Sequence, residues 1–549
     1  MHPDEPGYPC GQPQLNFDVL RRVCHHLVDV SDVLSFALTC STLTEDALRR
    51  RLRMAPVNLL NGESIDNFYR FIFANEPARA PYIYGLKLPA SYNYDIQVMD
   101  NSRFQTIDDH LVALLEAAIH IQYLYFPTSV SDPIFDAAMK LTTLRELHAV
   151  SDVYQGPLRF RLTTLRSPLR SLRIEENDPF GDNISTTHLH NGLSHFAPTL
   201  EVLELDFFQI EIPSSSVTIP FTAVRSLKVK NADFIFDLDQ VAILLRLFPN
   251  LDNTLSLGTC LGTNVAEDEY LIMRQRNQEA QKAHAWSGLD WLVCDAETAF
   301  LMALQCSIRR MDIGVPHSRG KRYLTETLRH NSPRQLHLSL SFRDGFGVLD
   351  GLLPFEAADK LTHLVVFADF DVPYQRRARR RRKHIRVPWD QFIDRAVDSI
   401  KHLHITHLRI VFYYTVHQAL PDPWPEGDAV STECEVDLHS AATRLRDTMP
   451  TLQYLFLTAC GGTYAIPPRE EWEPCQKQTL DKWLSSKAWR VVHDNASGGL
   501  RPSTRTPESG SCIMELSRED AERVMHQEEL RLSCDEEDMV RQCSDSTGD

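Results

Sequence analysis

Apolar residues in the N-terminal part of the chain are spaced like one face of a helix. In residues 15–43 they recur from Leu20 onward with gaps of three and four, which is the spacing of a helical period. The pattern breaks at residues 29–32, where Ser31 or Asp32 can cap a second helix. The segment therefore predicts two or three short helices in a compact hairpin.

This helical segment holds more apolar positions than so small a unit can bury by itself. An apolar surface that stays exposed in a small helical unit marks a contact with something else. Two interpretations remain open at this point. The apolar face docks on another protein, or it packs on the rest of the same chain.

A second apolar pattern, with two residues and then one residue between apolar positions, recurs from about residue 80 to residue 492. Amphipathic segments at residues 107–119, 238–248 and 389–400 precede copies of it. Each unit therefore predicts a helix, a turn and a short strand. One unit cannot bury its own apolar face, so neighbours must stack, with parallel strands inside and helices outside. The central residues of the copies are Leu86, Leu124, Leu147, Leu172, Leu203, Leu227, Leu292, Met311, Leu364, Leu408 and Leu455, with partial copies at Leu255 and Leu336.

The copies are spaced irregularly, from roughly 20 residues to the high 40s, around the range of about 20–29 that characterises leucine-rich repeats. The pattern resembles that family. The Asn or Cys that the family places after the strand is matched only at Asn177, Cys260 and Cys460. The predicted fold class is therefore α/β, an irregular leucine-rich-repeat solenoid behind an N-terminal helical motif. The alternative is an ordinary doubly wound α/β domain.

The N-terminal helical segment resembles an F-box. Two positions depart from that family: Asn16 stands where Pro is common, and Leu43 or Thr44 stands near the usual Trp. The stretch is also similar to F-box segments in large fungal families. The matching positions are Leu15, Val19, Leu20, Val23, Leu27, Asp32, Val33, Leu34, Leu38 and Cys40.

The resemblance implies a partner. F-box helices dock on a Skp-type adaptor, which links them to a cullin in a ubiquitin ligase, and aliphatic anchors on short helices are a common way to fill such a groove. In the family that joins an F-box to leucine-rich repeats, the inner strand face and its loops bind the protein substrate. The residues expected to contact the Skp-type adaptor are Leu15, Phe17, Val19, Leu20, Val23, Leu27, Val33, Leu34 and Leu38.

These patterns divide the chain into four parts. Residues 1–12 are predicted to be a disordered N-terminus, and residues 13–60 form the three-helix F-box-like motif. Residues 61–493 form the repeat domain. Residues 494–549 are rich in Ser, Pro, Glu and Asp and are predicted to be an acidic, disordered tail.

Composition narrows the partners and the compartment. The formal net charge of -17 argues against a nucleic-acid partner, because phosphates require a basic surface. No run of about 18 apolar residues is present, so no membrane partner is expected. The 12 cysteines are scattered through the chain, which favours reduced thiols in the cytoplasm or the nucleus.

Candidate chemistry is sparse. Residues 376–386 form a basic run that suits a nuclear localisation signal or a solvated loop between repeats. His402, His404 and His407 have a spacing that can ligate zinc, but no Cys or carboxylate completes the set nearby. Motifs of nucleotide-binding loops, zinc proteases and serine hydrolases are absent from the sequence. No catalytic residue, cofactor or metal is therefore predicted, and the protein is not expected to be an enzyme.

The sequence thus favours a substrate-recognition adaptor of a Skp–cullin–F-box ubiquitin ligase that binds an unknown protein substrate. A leucine-rich-repeat scaffold unconnected with ubiquitin is the alternative. A hydrolase or transferase on an α/β fold is a third reading, which would need a pocket with perturbed acids or a nucleophile beside a base.

Overall fold

The computed structural model describes most of the chain in two compact units. The first unit holds residues 1–231 and 246–250, and the second holds residues 232–245 and 251–549. Each unit is described separately below. The description leaves out residues 1–15, 40, 90–100, 128–129, 152–161, 177–183, 186–188, 210–218, 234–239, 260–266, 373–383, 387–388, 420–430, 434–435, 467–477, 493–511 and 545–549.

Three short helices open the first unit, as the apolar spacing predicts: α1 Phe17–His26, α2 Val30–Thr39 and α3 Ser41–Met54. The Asn16 side chain caps α1 by accepting a hydrogen bond from the Asp18 amide at 2.9 Å. The second helix begins at Val30, two or three residues earlier than a cap at Ser31 or Asp32 predicts. The Asp29 side chain, and not Ser31 or Asp32, accepts from the amide of Ser31 at 2.6 Å. The predicted disordered N-terminus, residues 1–12, lies outside the described residues.

The rest of the first unit alternates helices with short parallel strands. Its strands pair in parallel in the order β1, β2, β3, β4, β5 and β7, and β6 pairs with β7. The elements are β1 Val57–Asn58, α4 Gly62–Phe73, α5 Glu76–Arg79, a turn at Ala80–Tyr82, β2 Gly85–Lys87, α6 Asn101–Ala117, β3 Tyr123–Pro127, α7 Asp132–Met139, β4 Glu146–Ser151, β5 Ser171–Glu176, β6 Ile184–Ser185, short helical turns at Leu189–Leu193 and Ser194–Phe196, and β7 Val202–Gln209. Two further elements, β8 Ser226–Asp233 and α8 Gln240–Leu247, span the sequence boundaries between the units.

The second unit also alternates helices with parallel strands, but its last two strands are antiparallel. Strands β9, β10, β11, β12, β13, β15 and β17 pair in parallel, whereas β18 and β19 are antiparallel to their neighbours. The elements are β9 Thr254–Thr259, α9 Glu267–Ala283, β10 Gly288–Asp295, α10 Ala296–Met302, β11 Ser307–Val315, α11 Gly320–His330, β12 Gln335–Ser341, turns at Phe346–Val348 and Phe355–Ala357, β13 His363–Val372, β14 His384–Arg386, α12 Trp389–Ile400, β15 His407–Ala419, β16 Ser431–Glu433, α13 Leu438–Thr448, β17 Tyr454–Ile466, β18 Gln478–Val492, β19 Cys512–Glu515, α14 Arg518–Gln527 and α15 Cys534–Gln542.

The repeated leucines stand in register across the strands. In the first unit Leu86, Leu124, Leu147, Leu172 and Leu203 are direct neighbours on adjacent strands. In the second unit the same row runs through Leu255, Leu292, Met311, Leu336, Leu364, Leu408 and Leu455. All of these side chains are buried. The α/β class and the mostly parallel sheet are therefore confirmed.

Alternate residues of the second-unit strands point to opposite sides of the sheet. On the leucine side, Phe392 of α12 lies 5.0 Å from Phe412 of β15, measured between ring centroids. On the other side, Val365, Phe367, Val411, Tyr413 and Phe456 pack against residues of the C-terminal segment, which comprises residues 512–544. We name this second side the tail-covered face.

The C-terminal segment differs from the disordered tail predicted for residues 494–549. Residues 512–544 form β19, α14 and α15, and the helices are capped by Ser517 and Ser533. Acidic composition concealed the amphipathic pattern. The apolar residues that this segment contributes are Leu516, Ala521, Val524, Met525, Leu530, Leu532, Met539, Val540 and Cys543.

The basic run falls partly outside the described residues. Of the basic run at 376–386, residues 376–383 are not described, and His384–Arg386 forms β14, which pairs in parallel with β16. Among the described helices, none combines the length and the apolar character that a membrane crossing needs.

Candidate functional site

The three N-terminal helices enclose a small core of their own. Cys24, Val33, Ala37 and Ala47 are buried together, and Leu27 packs against them. Burial raises the pKa of the Cys24 thiol. These residues hold α1, α2 and α3 together and leave the opposite sides of α1 and α2 for other contacts.

Apolar side chains remain exposed on both α1 and α2. Leu34 and Leu38 stand one turn apart on α2 and are 43% and 89% exposed, beside the buried pair Val33 and Ala37. A soluble domain seldom exposes such a group of large apolar side chains without a partner. We name the group of exposed residues on α1 and α2 the docking surface: Phe17, Val19, Val23, Leu34 and Leu38.

The nine residues expected to contact an adaptor are therefore placed differently from one another. Five of them form the docking surface. Leu20 and Leu27 are half-buried, and Leu15 lies outside the described residues. Val33 is fully buried and serves the helical core instead of a surface. The sequence reasoning missed Val28, which is exposed in the turn between α1 and α2.

The helical motif is tied to the rest of the first unit by polar contacts. Arg79 forms an ion pair with Glu45 of α3, with Nη2 and Oε2 3.0 Å apart. Arg49 donates to the Ala78 carbonyl at 3.1 Å. These bonds use α3, so they leave the docking surface on α1 and α2 unobstructed.

The first-unit strands carry charged side chains on the side opposite their leucines. Lys230 lies 2.8 Å from Asp206, and Arg173 lies 3.5 Å from Glu204. His148 lies 3.1 Å from Glu175, and burial lowers the pKa of its imidazole. The side chains of this polar face are partly exposed, although the pairing atoms His148 Nε2, Arg173 Nε and Asp206 Oδ1 are buried.

The tail-covered face of the second unit meets the C-terminal segment through charges as well as apolar contacts. Arg309 lies 2.8 Å from Glu529, whose carbonyl accepts from Arg310 at 3.1 Å. Arg409 donates to the Leu530 carbonyl at 2.7 Å. Burial lowers the pKa of Arg409 to about 10, so it stays charged at neutral pH. Three arginines of the sheet thus hold the turn that follows α14.

A buried ion triad lies beside that turn. His337 Nε2 is 3.0 Å from Glu536 of α15, and His337 Nδ1 is 3.5 Å from Asp312. Burial disfavours the charged ring, but the two carboxylates outweigh it and raise the pKa of His337 to about 9. Burial acts against both carboxylates in the same way, and the bonds to His337 nevertheless lower their pKa values. The triad therefore carries an imidazolium at neutral pH.

A second histidine group has the opposite character. His363 and His407 are neighbours on β13 and β15, and their rings stack 4.3 Å apart with an interplanar angle of 2°. Burial lowers the pKa of His363, although Glu528 opposes it, and burial together with His363 lowers that of His407 to about 4. One ligand atom from each histidine and one from Glu528 lie within 4.8 Å of one another. In the described part of the chain, this is the set of side chains that could hold a metal ion.

The sequence motif of three histidines is not assembled as a site. The His402 ring lies tilted against Phe355, with the ring centroids 4.6 Å apart, and His404 is exposed. His407 joins His363 and Glu528 instead. No local spacing signals this set, because its members come from three separate segments.

A scan of the chain against protein-family models gives no match, and a search of curated proteins finds no similar sequence.

Proposed function

We propose that this protein is a substrate-recognition adaptor of a Skp–cullin–F-box ubiquitin ligase. The docking surface is the observation that carries the proposal. Its five apolar side chains project from α1 and α2, the helices that resemble an F-box, and they would fill a groove on a Skp-type adaptor.

The exposure of these residues favours a partner over packing on the same chain. Self-packing would bury them, as it buries Cys24 and Val33. Complete burial of a large apolar side chain contributes about 1.5–3 kcal/mol. Five such residues, four of them already about half covered, offer a smaller gain, which counts toward the free energy lost when two molecules associate.

The strand and helix units would then serve recognition. We propose that they form an irregular leucine-rich-repeat solenoid, since the leucine rows are in register and helices cover the leucine side of the strands. Such arrays present an extended strand face to a protein partner. The polar face of the first unit, with ion pairs such as Arg173–Glu204, suits a substrate of mixed charge. None of the seven described cysteines forms a disulfide, which supports a cytoplasmic or nuclear protein.

The test is co-expression with a Skp-type adaptor followed by a binding measurement. The wild type is expected to bind with submicromolar affinity. A variant with Phe17→Ala, Val23→Ala, Leu34→Ala and Leu38→Ala is expected to bind about 100-fold more weakly or worse, since central anchors dominate such interfaces. Because these side chains are exposed, the variant should keep the far-ultraviolet circular dichroism of the wild type.

A matched control uses exposed apolar residues elsewhere in the same unit. Leu60 and Ile119 are 67% and 57% exposed, and Leu60→Ala with Ile119→Ala should leave binding unchanged. Absence of binding by the folded wild type would refute the proposal. The alternative function, a repeat scaffold unconnected with ubiquitin, would then take its place.

A further inference from the structure

We propose that His363, His407 and Glu528 form a zinc site that fastens the C-terminal segment to the sheet. The two histidines belong to the tail-covered face, and Glu528 follows α14 in the C-terminal segment. The proposal is independent of the adaptor function, because it concerns a different unit and different side chains.

The strands place the two rings side by side. His363 of β13 is the direct register partner of His407 of β15, so both imidazoles leave the sheet on the same side. Their rings are nearly parallel and stacked. Glu528 reaches the pair from the C-terminal segment, with its Oε2 atom 3.1 Å from His363 Nε2.

Two threonines orient both rings. Thr406 Oγ1 lies 3.0 Å from the Thr362 carbonyl, to which it donates its single proton, and 2.9 Å from His407 Nδ1. The hydroxyl therefore accepts from Nδ1–H, which leaves the lone pair on Nε2. Thr362 Oγ1 lies 2.7 Å from His363 Nδ1 and 3.3 Å from the Arg334 carbonyl, so its hydroxyl can either accept from Nδ1–H or donate to Nδ1. A hydrogen bond to the second ring nitrogen is how proteins usually fix a metal-binding histidine.

In the Nδ1–H tautomer, which metal binding through Nε2 requires, a lone pair of His363 faces the Glu528 carboxylate. Two acceptors at 3.1 Å repel one another unless a positive charge lies between or beside them. In the neighbouring triad a proton supplies that charge, because His337 is an imidazolium between two carboxylates. Without metal, a neutral His363 can donate Nε2–H to Glu528; a bound cation takes the place of that proton and brings the nearby His407 into the same set.

The donor set suits zinc. Two imidazole nitrogens and one carboxylate oxygen, with a water in the fourth position, are ordinary ligands of this ion at about 2.0–2.2 Å. The donors now lie within 4.8 Å of one another, so they must close by about 1 Å to bind a tetrahedral ion. The Glu528 side chain is 41% exposed and can move toward an ion. The two imidazoles must also turn, because parallel rings 4.3 Å apart do not direct their lone pairs at one ion.

The experiment measures zinc uptake by the full-length protein. Protein freed of metal by a chelator and then of the chelator is titrated with zinc chloride by calorimetry. Cobalt serves as a spectroscopic probe, because its visible absorption reports four-coordinate geometry. The wild type is expected to take up one more equivalent of metal than His407→Gln or Glu528→Gln. The comparison is needed because cysteines elsewhere in the chain can also bind zinc.

The controls are the nearest residues of the same type. His404→Gln changes an exposed histidine of the same sequence motif, and Glu529→Gln changes the carboxylate next to Glu528. Both should take up as much zinc as the wild type. Zinc should also slow hydrogen exchange in residues 516–532 of the wild type and of His404→Gln, but not of Glu528→Gln.

Equal zinc uptake by the wild type, His407→Gln and Glu528→Gln would overturn the proposal. Glu528→Gln guards against a folding artefact, since its side chain is partly exposed and contributes little to the core. Adaptor binding is not measured in this experiment, so its outcome is separate from that of the ligase proposal.

Discussion

The two units build their sheets by the same rule and finish the side opposite the leucines in different ways. In the first unit that side carries Arg173, Glu175, Glu204 and Lys230, which pair with one another at the surface. In the second unit the same side carries an apolar cluster that includes Val411, and the C-terminal segment covers it.

The difference shows what determines whether a strand face needs a cover. A charged face keeps its hydration and its ion pairs, so water can be its neighbour. A face of valine and aromatic residues loses free energy in proportion to the apolar area left in water, about 25 cal/mol for each square ångström. The second unit therefore uses part of its own chain as the missing layer.

Truncation of one buried side chain of the C-terminal segment should cause the largest loss of stability. Leu530 is 1% exposed between the C-terminal segment and the sheet. Leu530→Ala is expected to lower the free energy of unfolding by about 2–4 kcal/mol, through lost burial and the cavity left behind. Urea unfolding measures the change.

Met514 gives the matched control for that substitution. It belongs to the same segment and is half-exposed, so Met514→Ala should change the free energy of unfolding by less than about 0.5 kcal/mol. Similar losses for the two variants would mean that the segment does not cover the face in solution.

The buried triad should make the cover sensitive to pH. The pKa of His337 rises from an ordinary 6.5 to about 9 in the folded protein, so its stabilising contribution is complete below the unfolded value and disappears as the pH rises through about 9. Glu536 and Asp312 have lowered pKa values, so their contribution fades only when the medium becomes strongly acidic.

Hydrogen exchange of residues 534–542 between pH 6 and pH 9.5 tests this, after correction for the intrinsic exchange rate. Protection should fall with rising pH in the wild type. In Glu536→Gln one of the two carboxylates that hold the imidazolium is gone, so the slope should be shallower. If protection depended on pH with the same slope in both proteins, the triad would not be the cause of the pH dependence.

Removal of one charge from the polar face of the first unit should cause the smallest loss of stability. Glu204 lies 3.5 Å from Arg173 and 3.9 Å from Lys228, and all three side chains are partly exposed. Glu204→Gln is expected to cost at most about 1 kcal/mol of unfolding free energy at low salt, and less at high salt because exposed pairs are screened. A loss as large as that of Leu530→Ala would show that the two faces are less different than their composition indicates.

The repeated core was predictable because its signal is local. An apolar residue flanked at fixed short distances identifies the strands, and Leu172 or Leu408 could be placed on the buried side from the sequence alone. The three N-terminal helices were equally clear from their spacing. The sequence did not show that Val33 belongs to the core while Leu34 is exposed. Two adjacent apolar stripes on α2 look alike until the positions of α1 and α3 are known.

There is a physical reason why neither the packing of the C-terminal segment nor the histidine set could be predicted from the sequence. The C-terminal segment is acidic overall, and its apolar residues acquire a role only when Val365 and Val411 are placed opposite them. His363 and His407 are adjacent through strand register, and Glu528 joins them through the turn after α14. Long-range contacts of this kind leave no spacing in the sequence to be read.

The antiparallel pair at the end of the second unit has a further consequence. An array of parallel strands ends in a row of unpaired amide and carbonyl groups, which another copy could extend into a fibre. Here β18 reverses direction against β17, and β19 covers four residues of it with a short strand that ends in Glu515. So short an edge strand offers a second copy little to pair with, and over Trp489–Val492 it therefore discourages edge-to-edge polymerisation.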